Sequence, residues 1–241
     1  MLSKNEVKYI QSLCHKSQRN ADKVFVAEGP KLVHELVLAN VDVLHIYGLK
    51  DWIDTRENHS FSVTEISPEE LEKISQLQTP NQVLLIARQH LPSGKPVVKN
   101  HCILALDGIQ DPGNMGTILR IADWFGIKQL VCSLDCVDIY NPKVVQSTMG
   151  SITRVQCWYT NLNEWLAGVE VPIYGALLNG KNVYDVEKIE EGIIVIGNES
   201  KGIRSDVLSL ITHPVTIPKK GSAESLNAAV AAGIILSHLL R

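Results

Sequence analysis

Three short stretches of this sequence combine residue types that can do chemistry. The first is Asp107-Gly108-Ile109-Gln110-Asp111-Pro112-Gly113-Asn114-Met115-Gly116, continuing to Arg120. Its glycines, proline and asparagine make a tight loop with exposed amides ahead of a helix. Asn114 can cap that helix, with Arg120 two turns in. The second is Ile196-Gly197-Asn198-Glu199-Ser200-Lys201-Gly202, an acidic residue directly after an apolar strand and bracketed by glycines. The third runs from Ile217-Pro218-Lys219-Lys220-Gly221 to Ser225-Leu226-Asn227. Two lysines beside a helix start favour an anion, and Ser225 and Asn227 add a hydroxyl and an amide. Each stretch alone can also be read as a capped turn.

Other chemistries lack their signatures. There is no G-x-x-x-x-G-K-[ST] phosphate loop, no G-x-G-x-x-G, no G-x-S-x-G and no H-E-x-x-H. The eight histidines are scattered and give no metal set. Cys132 and Cys136 form the only close cysteine pair, without a second ligand pair, and read as buried thiols. No metal is expected.

The elements that must hold these loops follow a clear pattern. Residues 102–108, 129–134, 155–159, 173–178, 193–197 and 214–218 read as apolar strands. Helices over 115–125, from Pro142 to Gly150, at LNEWLAG and from about Glu224 to Leu240 alternate with them. Apolar strands alternating with helices mean a parallel, covered sheet. The last helix is apolar nearly all round, so it is expected to be buried on more than one side. Trp124, Trp158 and Trp165 are placed in the core or a helix–sheet seam.

The first part of the chain reads as a small mixed domain. Ser3 caps a first helix, VFVAEG (24–29) is a strand, and Pro30 opens a helix. VLHIY (43–47) and QVLLIARQ (82–89) are strands, and Ser67-Pro68-Glu69-Glu70 is a capping box. The Pro- and Gly-bearing tract HLPSGKPVVKN leads to the second pattern. The domains are therefore 1–92, a linker at 93–100, and 101–241.

Composition bounds the class. The 241 residues are 45% hydrophobic and 20% charged, enough to bury a core. No apolar run is long enough to cross a bilayer, and the start MLSKNEVKYIQ is unlike a signal peptide, so a cytoplasmic protein without membrane partners is expected. A formal charge of -3 carries no global nucleic-acid signature. Residues 1–31 are locally basic: Lys4, Lys8, Lys16, Arg19, Lys23 and Lys31 against Glu6, Asp22 and Glu28. That segment could meet phosphate, although on charge alone a solvated helix face is favoured.

Taken together, N-x-G-x-x-x-R at Asn114–Arg120, N-E-x-x-G at Asn198–Gly202, and I-P-x-x-G followed by S-L-N at Ile217–Asn227 resemble the three motifs of the SpoU (TrmH-type) RNA ribose methyltransferases of the SPOUT superfamily. All three in order, each after a strand, are specific. The resemblance covers roughly residues 101–241. The segment FVAEGPKLV is similar, less specifically, to that family's ribosomal-protein-like substrate-binding domain.

The resemblance implies a parallel α/β catalytic domain with a C-terminal trefoil knot, working as a homodimer, and a small N-terminal α/β RNA-binding domain. It implies methyl transfer from S-adenosylmethionine to a ribose 2′-hydroxyl, leaving S-adenosylhomocysteine. The separate amino-terminal domain favours rRNA over tRNA as the RNA partner. By position, Leu177, Gly197, Asn198, Gly202, Ile217, Pro218 and Leu226 would hold the cofactor. Arg120 would be the catalytic arginine, as base or as orienting group, with Asn114, Glu199, Ser225 and Asn227 around the ribose. Many members carry an apolar residue where this chain has Lys219. Two other readings compete: a non-catalytic RNA-binding protein, and a Rossmann-type hydrolase or nucleotide-binding enzyme, which the missing glycine fingerprint disfavours.

Overall fold

A computed structural model describes residues 1–55 and 61–240. In chain order its elements begin α1 (Lys4–Ser12), α2 (Lys16–Asp22), β1 (Val24–Glu28), α3 (Pro30–Leu38), β2 (Val43–Gly48), α4 (Lys50–Asp54), β3 (Val63–Glu65), α5 (Pro68–Ile74) and β4 (Val83–Arg88). They continue β5 (Cys102–Asp107), α6 (Pro112–Trp124), β6 (Gln129–Ser133), α7 (Pro142–Thr148), β7 (Gln156–Thr160), α8 (Leu162–Ala167), β8 (Ile173–Asn182), β9 (Gly192–Gly197), α9 (Ser205–Leu208), β10 (His213–Thr216) and α10 (Ala228–Leu239). Two compact units result: Met1–His90 with Asp138–Thr153, and Leu91–Val137 with Arg154–Arg241.

The first unit holds a mixed sheet in the order β1-β4-β2-β3, with β4 antiparallel to both neighbours and β2 parallel to β3. Its helix starts follow the local chemistry. Ser3 and Ser67 each accept from the backbone N–H three residues on, and Glu6 and Glu70 reach back to complete both capping boxes. Pro30 opens α3 behind Gly29, whose φ of 88° few other residues would adopt. One expectation is corrected here. Arg19 does not belong to a basic surface. It is 1% exposed, donates to the carbonyls of Leu13 and Cys14, and pairs with Asp138 at 2.6 Å.

The second unit is a six-stranded sheet, every neighbouring pair parallel, in the order β10-β8-β9-β5-β6-β7. Its central strands are apolar on both faces because helices cover both. Ile103 to Leu106 and Ile193 to Val195 are fully buried. The chain runs outwards from β5 through β6 to β7, then crosses to the other side for β8 and β9. The strand order therefore reverses between β5 and β9. Crevices at such a switch point are where open α/β sheets take ligands. The register sets Asp107 opposite Gly197, so the loops after β5 and β9 leave the sheet side by side.

Three local expectations are corrected. α6 begins at Pro112, and Asp111 caps it by accepting from Asn114 N–H, so Asn114 lies inside the helix rather than at its cap. α10 begins at Ala228, and residues 224–226 precede it. Trp124, at the end of α6, is 85% exposed rather than in the core. Trp165 is half-buried and packs against the core beneath α8 and α9. α10 buries Ala228, Ala229, Ala232, Ile235, Leu236, His238 and Leu239, while Val230 stays half exposed. It packs on α6, where a Cβ on Gly233 would make ordinary van der Waals contact with Ile121 at 3.5 Å.

Candidate active site

The three chemistry-bearing loops follow β5, β9 and β10 and meet at one end of the parallel sheet. The second and third, with β8 and α10, enclose a cleft of about 630 Å³. That lies within the roughly 300–1,000 Å³ of small-molecule sites. Its walls are apolar, from Leu177, Ile196, Val215, Ile217 and Ile235, and its rim carries Lys201, Lys219, Lys220 and Glu224. All seven positions named for the cofactor line it, as do Glu199 and Ser225.

Glu199 is half-buried and joins a directional chain of hydrogen bonds. Asn227 is the N-cap of α10, where its Oδ1 accepts from the N–H groups of Ala229 and Val230 at 3.0 and 3.2 Å. That fixes which end of its amide faces outward. Its Nδ2 then donates to Asn114 Oδ1 at 2.8 Å. Asn114 is left with its own Nδ2, which donates to Glu199 Oε1 at 2.7 Å. The free amides of a helix start therefore orient two carboxamides in series, ending on a carboxylate. The Asp111 cap makes this possible, because it leaves the Asn114 side chain unengaged by its own helix.

Asn198 plays a part the sequence did not announce. Its side chain is bonded to the protein at both ends: Nδ2 donates to Gly108 O at 2.7 Å, and Oδ1 accepts from Ser200 N–H and Lys201 N–H. Its backbone pairs with Gly202 in both directions. What these bonds give the cleft is a fixed loop shape. Gly197 makes that shape possible, since a Cβ there would lie 2.3 Å from Gly202 C.

The remaining named residues are less closely joined. Ser225 is exposed at the cleft wall. Arg120 is exposed on α6, and among the described residues it neither lines the cleft nor bonds to Glu199, Asn114 or Asn227. Sequence reading put Asp107 at the head of the first loop without giving it a role, and did not single out Arg204. Asp107 was legible only as an acidic residue ending an apolar strand; Arg204 had no local signal. Cys132 and Cys136 are buried, as read, and among the described residues no three His, Cys, Asp or Glu side chains gather as a metal set.

Residues 101–237 match the SpoU rRNA Methylase family, and residues 4–85 match the MRM3-like substrate binding domain. The chain is 30% identical to the 23S rRNA (guanosine(2553)-2′-O)-methyltransferase RlmP of Bacillus subtilis, across 98% of this chain and 97% of that one. It superposes with a TM-score of 0.87 on a Porphyromonas gingivalis structure assigned to the TrmH family of RNA methyltransferases, at 37% identity and covering 99% of this chain and 98% of that one. An AdoMet-bound rRNA methyltransferase from Sinorhizobium meliloti superposes at 0.85, with 25% identity over 99% and 96% of the two chains.

Proposed function

The chain belongs to the SpoU rRNA methylase family, and from that premise we propose that it methylates a ribose 2′-hydroxyl of ribosomal RNA with S-adenosylmethionine as donor. The observation that carries this reading is the Asn227–Asn114–Glu199 chain ending at a cleft lined by the second and third loops.

The cleft suits a nucleoside with an amino-acid tail. Its apolar walls match an adenine and its rim holds charges of both signs, with backbone amides of the 197–202 and 217–221 loops between. Leu177, Gly197, Ile217, Pro218 and Leu226 hold the donor, while Asn198 and Gly202 set the loop around it. When bound, S-adenosylmethionine supplies an electrophilic methyl group on a sulfonium.

The chain's own residues supply position and proton transfer. Glu199 Oε1 is held by Asn114, and Glu199 lines the cleft. Glu199 accepts the 2′-hydroxyl and takes its proton as the oxygen gains the methyl group. Ser225 and Asn114 hold the neighbouring ribose oxygens. Arg120 is suited to a phosphate of the RNA, because a guanidinium stays protonated and binds such oxygens in pairs. Positioning of this kind accounts for much of the rate in a transfer between two bound partners.

The first unit takes the RNA, as its match to a substrate-binding domain supports. The enzyme works as a homodimer, with the half-exposed Val230 and the exposed Trp124 covered by a second copy. The C-terminal part carries the family's trefoil knot. α10 supports it by returning to pack on α6 and accepting, through Leu239 O, from Ile189 N–H. No helix among the described residues is long and apolar enough to cross a membrane, and a cytoplasmic place beside the ribosome fits the reading.

The test is transfer of labelled methyl from S-adenosylmethionine to separated rRNA and tRNA from cells lacking this protein. Label in rRNA, lost with Arg120→Ala and Glu199→Ala, is expected. Label in tRNA alone would overturn the rRNA assignment. No label with no cofactor binding would overturn the activity.

A further inference from the structure

We propose that Asp107 and Arg204, neither of which lines the cleft, are positioning residues that set the 198–204 loop and hence the place of Glu199. The inference rests on the methyl-transfer reading above.

Asp107 is the last residue of β5 and is 1% exposed. Both its oxygens are directed at one residue. Oδ2 accepts from the backbone N–H of Arg204 at 2.7 Å, and Oδ1 lies 2.5 Å from Arg204 Nη2. The second guanidinium nitrogen, Nη1, lies 3.5 Å from Asp135 Oδ1. Ser133 turns that carboxylate by donating to it at 2.7 Å, and this bond, with Arg204 nearby, holds the Asp135 carboxyl below its ordinary pKa. Ser133 Oγ in turn accepts from Gly108 N–H at 2.8 Å.

Gly108 closes the arrangement from the other side, since its carbonyl accepts from Asn198 Nδ2. Two consecutive residues at one strand end thus hold both ends of the loop: residue 108 holds Asn198, and residue 107 holds Arg204. Glu199 lies between those anchors, and the loop forms the cleft wall from Gly197 to Gly202. A buried carboxylate is costly unless fully paired, and an apolar pair of the same volume would serve packing at least as well. What an apolar pair lacks is direction. The Asp107–Arg204 fork fixes where the loop re-enters the protein, and errors near 1 Å in such a site cost about 10²-fold in rate.

Arg204→Ala removes the guanidinium and keeps the backbone N–H that Asp107 accepts. The variant leaves the buried Asp107 carboxylate without its guanidinium, so its melting temperature is expected to fall, and rates are compared well below the variant's melting temperature, where it is folded. Three quantities are read on the full chain. The first is methyl transfer to unmethylated rRNA. The second is S-adenosylmethionine affinity by calorimetry. The third is hydrogen exchange of the 198–204 amides without ligand. Expected are a roughly 10- to 100-fold fall in kcat, weaker cofactor binding, an RNA KM within about twofold, and faster loop exchange. Millimolar guanidinium should restore part of the rate and slow the exchange, and sodium chloride of equal ionic strength should not. Asp107→Asn, which keeps an acceptor for the N–H but loses the charge, should give an intermediate effect. Wild-type rates and wild-type exchange in a folded Arg204→Ala would overturn the proposal, as would loss without guanidinium rescue. A wild-type protein that transfers no methyl to any RNA would instead overturn the activity on which it rests.

Discussion

Asn114 and Glu199 stand 85 residues apart in sequence, on α6 and in the loop after β9, yet the Asn114 amide donates to Glu199 Oε1 at 2.7 Å. The amide cannot turn round, because Asn227 already donates to its oxygen. The site is therefore sensitive to the direction of each hydrogen bond as well as to the residues that make it.

Replacing Asn114 by Asp tests that direction with almost no change in shape. A carboxylate would face the Glu199 carboxylate at hydrogen-bond distance and would still accept from Asn227. Loss of one preorganised donor costs about 10²–10³ in kcat, and added repulsion works in the same sense. Methyl-transfer rates on unmethylated rRNA, with folding checked by circular dichroism, should show that fall.

Asn227 separates stability from activity. Asp is as good an N-cap as Asn, so Asn227→Asp should leave the unfolding midpoint nearly unchanged while removing the donor to Asn114. Activity should drop at least tenfold. Asn227→Ala should lose activity and, with the cap gone, about 1 kcal/mol of stability as well. Thermal melts beside kinetics distinguish the two. Equal activity in Asn227→Asp and wild type would refute the directional chain.

Gly197 and Gly202 are both needed, for different reasons. A Cβ on Gly197 would lie 2.3 Å from Gly202 C, so Gly197→Ala must open the loop. We expect S-adenosylmethionine affinity to fall by more than tenfold and stability by about 1–3 kcal/mol. Gly202 has open space around it but a φ of 70°, so Gly202→Ala should cost only about 1–2 kcal/mol of backbone strain. Its cofactor affinity should stay closer to wild type. Calorimetric titration and urea unfolding measure both.

Glu28 makes stability depend on pH. It is 3% exposed, and burial pushes its carboxyl above the ordinary value near 4.5, against the bonds it accepts from Ser75 Oγ and Gln76 N–H. A carboxyl raised by folding contributes stability that is full below its unfolded pKa and lost as pH rises through its folded one. Glu28→Gln can keep both partners, accepting from Gln76 and donating to Ser75. It should remove this decline. Urea midpoints from pH 4 to pH 8 should fall with rising pH more steeply in wild type than in the variant.

Much of this protein was determined by short stretches of sequence. Both capping boxes, the prolines opening α3 and α7, and the glycine ending α6 depend on neighbours within about four residues, so their outcome is local. The apolar runs fixed a parallel sheet, because only strands covered on both faces can be apolar throughout. The positions chosen for the cofactor line one cleft because strand ends carry the loops of such a sheet.

Tertiary structure decided what local chemistry left equal. Asp111 and Asn114 are both good caps. The helix took Asp111, and in the fold Asn114 has Glu199 and Asn227 as alternative partners, 85 and 113 residues away. Arg19 resembled a surface cation until Asp138, 119 residues on, met it in the core of the first unit. Arg204 carried no local signal because its partner is Asp107, 97 residues earlier at the end of another strand. Partners so distant leave no periodicity or spacing in the chain. A carboxylate or guanidinium finds its role only when folding removes water from around it and leaves one oppositely charged group within reach.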